Sequence, residues 1–109
     1  MIRLTAKTMI WMATQPVDFR KQIDGLVALS QHQLQQNPRS GALYVFINRP
    51  RTMIRILHYD GSGYWLATKR LSQGHYVNWP TVSSDLSEME ASLLMKLIRT
   101  GIENSCKIN

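Results

Sequence analysis

The four residues Asp60-Gly61-Ser62-Gly63 constrain this chain more than any others. They separate two runs rich in β-forming residues, Met53 to Tyr59 and Tyr64 to Arg70. A connection that short, with glycines that accept positive φ at little cost, joins neighbouring antiparallel strands. In the first run Ile54, Ile56 and His58 point one way. Met53, Arg55, Leu57 and Tyr59 point the other, because side chains alternate along a strand. Upstream, Ala42 to Ile47 is a continuous apolar run of strand length, which predicts a buried strand. Asn48-Arg49-Pro50-Arg51 then turns the chain with two exposed arginines. The centre of the chain therefore reads as a three-stranded meander.

The flanks add helices. Met9 to Ala13 predicts a short strand, broken by Gln15-Pro16-Val17-Asp18. Asp18 is placed to cap a helix from about Phe19 to Gln36, its carboxylate accepting from first-turn N–H groups. Phe19, Ile23, Leu26, Val27 and Leu34 share one apolar face, and Asp24 pairs with Arg20 on the wet side. Gly25 is unusual inside a helix and calls for a close packing contact. Asn37-Pro38-Arg39-Ser40-Gly41 stops this helix. After the meander, Gln73-Gly74 is a turn, His75 to Trp79 a short strand closed by Pro80, and Thr81 to Ser87 irregular or edge-like. A last helix from about Glu88 to Thr100 carries Met89, Leu93, Leu94, Leu97 and Ile98 on its apolar side. Ser87 and Glu90 have capping-box spacing and Gly101 ends it. The expected fold is α+β: a single domain over 1–109, with a mainly antiparallel sheet of about four strands. Two helices lie on one side, which leaves the other face for a partner.

Charge narrows the partners. Eight of the thirteen Lys and Arg residues, but only two of the seven acids, lie between Phe19 and Val82. The whole net charge of +6 therefore sits in the middle of the chain. Such a field attracts polyanions, and equally an acidic protein surface. No stretch approaches the ~20 consecutive apolar residues of a membrane helix. The N-terminal run is too short for a secretory signal, so a cytoplasmic location is expected. Cys106 is the only cysteine, which excludes an intrachain disulfide and a cysteine-based zinc cluster.

Catalysis finds no support. A two-metal nuclease needs several converging carboxylates, and the basic region offers Asp24 and Asp60, with Asp18 at its edge. A cap, a solvated helix face and a turn account for all three. His32, His58 and His75 are scattered without metal-ligand spacing, and no phosphate-loop or dinucleotide signature occurs. No catalytic residue, metal or cofactor is expected.

What remains is basic residues interleaved with aromatics. Tyr59, Tyr64, Trp65, Tyr76 and Trp79 lie among Arg49, Arg51, Arg55, Lys69 and Arg70. Sheet aromatics with flanking bases are one way to hold single-stranded nucleic acid. Trp65 and Trp79 are nevertheless read as core residues. The better contacts are Arg49 and Arg51 on a protruding turn, with Arg55, Lys69 and Arg70, and with Arg20 and Lys21 at the rim.

Two stretches carry a family resemblance. One is Asp18-Phe19-Arg20-Lys21-Gln22-Ile23-Asp24-Gly25-Leu26. The other is Ile56-Leu57-His58-Tyr59-Asp60-Gly61-Ser62-Gly63-Tyr64-Trp65, continuing through Lys69-Arg70-Leu71 to Gly74 and Trp79-Pro80. In this order they resemble the TnpB accessory proteins of the insertion-sequence-66 family, products of the second open reading frame. Gln22, often glycine in that family, and Leu66-Ala67-Thr68, usually richer in aromatics, depart from the pattern. The resemblance implies a role in transposition beside a larger, separate transposase that holds the catalytic acids. It supplies no catalytic residues. Two readings follow: DNA bound non-catalytically through the basic surface, or a protein-interaction module that bridges the transposase without touching DNA. A small nuclease is a third reading without a carboxylate set. Oligomeric state is not encoded in any motif.

Overall fold

The computed structural model describes residues 8–77, 79–80 and 84–100, with backbone only at 99 and 100. Five strands and two helices follow the order β1 (Ile10–Ala13), α1 (Ile23–His32), β2 (Leu43–Ile47), β3 (Met53–Tyr59), β4 (Tyr64–Arg70), β5 (Leu86–Glu88) and α2 (Ala91–Thr100). The sheet order is β4-β3-β2-β1-β5. The β2-β3-β4 meander forms in the register the turns dictate, from Leu43 opposite His58 to Tyr59 opposite Tyr64. β1 joins β2 in parallel, with α1 as the crossover that a parallel pair requires. β5 closes the far edge antiparallel to β1. The α+β class and the mainly antiparallel sheet stand, with one strand more than the sequence indicates.

The helices do not share a side. Leu26 and Leu34 pack with Tyr44, Phe46 and Leu57 on one face of the sheet. Leu94 and Leu97 pack with Ile10, Met12, Val45, Ile54 and Ile56 on the other. The expected free sheet face is therefore covered. The reason is β2, whose five residues are all buried. A strand apolar on both faces needs a layer on each.

Other local expectations are corrected. α1 begins at Ile23, its N-cap is Gln22, and no side chain caps it. Asp18 instead closes its own turn: its carboxylate accepts from the Arg20 N–H at 2.9 Å, and its carbonyl accepts from the Lys21 N–H at 3.1 Å. Arg20 accordingly pairs with Asp18, 2.7 Å away, and not with Asp24. A Cβ on Gly25 would come within 3.0 Å of the Lys21 Cβ, so this glycine makes room for the lysine stem. Ser87 lies in β5, which removes the capping box; Leu94 donates to the Glu90 carbonyl as α2 begins. Among the described residues of the stretch from His75 to Trp79, none is in a strand. The stretch is a covering segment that buries Tyr76 and Trp79 in the α2-side core, and the Trp79 indole donates to the Ala13 carbonyl at 2.8 Å. Trp65 and Leu93 are exposed, against expectation. Gly101 and Cys106 lie outside the described residues.

Candidate nucleic-acid interface

The fold gathers the sequence-predicted basic residues at one end of the sheet. The β2–β3 turn lies there, and the Leu71 N–H bonded to the Thr52 carbonyl at 2.9 Å brings Arg70 beside it. The 16–20 segment joins the same end because the Val17 N–H donates to the Ile47 carbonyl at 2.9 Å. An open groove runs between the two turns, lined by Val17, Asp18, Phe19, Arg20, Asn48, Arg49 and Pro50.

The turns are held stiffly. The Asn48 side-chain oxygen accepts from the Thr52 and Met53 N–H groups at 2.9 and 3.0 Å, while its amide donates to Thr52 Oγ1. Arg51 sits in the left-handed region at φ 62°, its carbonyl accepting from the Tyr76 N–H. Opposite, Asp18 grips Arg20 in a fork through Nε and Nη2. The bonds from Arg20 hold the Asp18 carboxyl down at about 2, and the same pair raises the Arg20 guanidinium.

The seven candidates divide by what else they do. Arg55 donates to the Phe19 and Lys21 carbonyls at 2.8 Å each and to Thr68 Oγ1 at 3.1 Å, with its guanidinium over the Phe19 ring. Lys69 lies on the other face of the sheet and donates to the Ile98 carbonyl in the last turn of α2, where a cation complements the helix dipole. Arg20 has its fork with Asp18. Arg49, Arg70 and Lys21 are exposed and carry no ion pair among the described residues. Arg51 is half-buried, so only Arg49 of the turn pair is fully presented.

The opposite end of the sheet is aromatic. Asp60 accepts from the Ser62 and Gly63 N–H groups, from Ser62 Oγ and from the Trp65 indole at 2.8 Å. These bonds, led by that from the Ser62 N–H, drive its carboxyl well below the ordinary range. Tyr59 and Tyr64 pack with centroids 5.0 Å apart, and Arg39 lies over Tyr59 at 5.1 Å. The alternation of β3 and β4 predicts the Tyr59–Tyr64 pair; nothing local predicts Arg39 above it. A second cleft beside α1 mixes Asp18 and Asp85 with Lys21. Among the described residues no three His, Cys, Asp or Glu side chains converge to hold a metal, and no helix is long and apolar enough to cross a membrane.

A family model described as IS66 Orf2 like protein matches residues 8–105. Two proteins of Sinorhizobium fredii (strain NBRC 101917 / NGR234) are similar to this chain. The uncharacterized protein y4jC is 41% identical over 88 residues, covering 79% of this chain and 75% of that protein. The uncharacterized protein y4hO is 33% identical over 94 residues, covering 86% of this chain and 80% of that protein. No solved structure matches.

Proposed function

The chain belongs to the IS66 Orf2-like protein family, and on that premise we propose that it assists transposition by binding DNA non-catalytically through the basic end of its sheet. An accessory role in the insertion-sequence element comes with the family. The observation that carries the DNA reading is the groove at that end, which Arg20 and Arg49 both line from two braced turns, with Arg70 beside the second turn. Braced turns hold cations in place before a polyanion arrives, which lowers the ordering cost of contact. Arg49, Arg51, Arg70 and Lys21 neutralise phosphates directly. Arg20 joins them from the rim. Arg55 and Lys69 add to the field, but their donors are engaged within the protein. Contacts of this kind position DNA without reading its sequence. Residues 1–109 act as one accessory unit in this reading, and the cytoplasm is its compartment.

The test is fluorescence anisotropy with labelled element-end DNA and a scrambled duplex. Binding that weakens steeply with salt supports the reading, and no binding at low salt contradicts it. One observation favours a second reading, a bridge to the element's transposase: Trp65, Leu93 and Met95 are exposed, and aromatic and methionine side chains are enriched at protein interfaces. Co-purification with the transposase after nuclease treatment, without DNA affinity, would favour that bridge.

A further inference from the structure

We propose that β4 is a self-pairing edge, and that two copies of this chain join antiparallel through it about a two-fold axis at Ala67. Among the described residues β4 ends the sheet, with only β3 beside it. Its ladder with β3 is bracketed by two backbone bonds, Asp60 N–H to Gly63 carbonyl and Leu71 N–H to Thr52 carbonyl. Antiparallel ladders alternate bonded and non-bonded pairs. Trp65, Ala67 and Lys69 therefore bond inward to β3. The N–H and C=O groups of Tyr64, Leu66, Thr68 and Arg70 point outward along the open edge. The strand has seven residues, no proline and no bulge in its register. Exposed rows of this kind are templates for another strand.

The side chains select the occupant. With Ala67 opposite Ala67, Leu66 of one copy meets Thr68 of the other, Trp65 meets Lys69, and Tyr64 meets Arg70. All seven residues pair, and each outward group finds an outward group. Both cations of each copy fall opposite aromatics, on matching faces. Lys69 stays on the α2 side with Trp65, and Arg70 on the α1 side with Tyr64, so the pairs are of cation–π type. A shift to a Thr68 centre sets Lys69 against Ala67 and Arg70 against Leu66, and leaves Trp65 unmatched. A parallel mate brings like charges together at one end. Lys69 and Arg70 thus guard the edge against indiscriminate pairing while fitting a second copy. The joined sheet carries its two basic ends at opposite ends of the dimer.

Light scattering across a micromolar concentration series should give twice the chain mass of 12.6 kDa. W65K sets lysine against Lys69 and should weaken association at least tenfold. W65K/K69E restores opposite charges and should recover it. Register is read by cysteine pairing in a C106S background: mild oxidation should link A67C between copies and leave T68C unlinked, because only Ala67 faces itself. A strictly monomeric chain, or A67C and T68C linking equally, would overturn the proposal. So would failure of the double variant to recover association.

Discussion

The guanidinium of Arg55 lies 4.7 Å from the centre of the Phe19 ring and donates to the Phe19 carbonyl at 2.8 Å. It also reaches the Lys21 carbonyl, so one side chain ties the Asp18-Phe19-Arg20-Lys21 turn to β3. Hydrogen bonds from a charged donor contribute about 1.5–3 kcal/mol. R55A should therefore lower stability by about 2 kcal/mol in urea unfolding, and R55K by nearly as much, since an ammonium lacks the planar fork. Unchanged stability with weakened DNA binding would instead make Arg55 a direct contact.

The core holds an unpaired hydroxyl. Tyr76 is fully buried, its OH has no partner among the described residues, and burial pushes its pKa up. Y76F removes a desolvated group and should raise stability by about 1 kcal/mol. W79F should do the reverse, by about 2 kcal/mol, because it strips the Ala13 carbonyl of its donor and leaves a void. Thermal unfolding of the two variants checks both signs.

Arg51 carries backbone strain at φ 62°. Left-handed backbone costs a non-glycine residue about 1–2 kcal/mol. R51G should therefore be more stable than R51A by about 1 kcal/mol, while both lose the same cation. Equal stabilities in denaturant titration would show that the turn relaxes around the side chain.

Much of this architecture is legible in the sequence. The meander is, because turn chemistry and period-two alternation agree from Ala42 to Arg70. The sidedness of the helices is not read correctly, although its signal is present: a run as apolar as Leu43–Ile47 implies cover on both faces. The start of α1 is misjudged because Asp18 can close a turn or cap a helix, and the choice depends on Arg55, 37 positions away in sequence from Asp18. β5 is three residues long and exists only because β1 offers an edge. Basic residues can be counted in a sequence. Which of them are engaged internally, as Arg55 and Lys69 are, depends on tertiary partners.

Acid should weaken the protein through two turns. Asp18 titrates near 2 in the folded state and Asp60 lower still, both below the ordinary value of about 4. The unfolded chain binds more protons between those values, so this stability is complete above the ordinary value and is lost as pH falls through the folded ones. The melting temperature of D18N/D60N should accordingly vary less than that of the wild type between about pH 5 and pH 2. Parallel curves would show that neither carboxylate matters to the fold.

The most direct test of the basic end is the salt dependence of DNA affinity in the wild type and in R49A/R70A. Each lost phosphate contact on duplex DNA should reduce the slope of log affinity against log salt by about 0.9. The account predicts a slope shallower by about 1.8 for this pair, and weaker binding to element-end and scrambled duplexes alike. An identical slope and affinity in the folded double variant would contradict it.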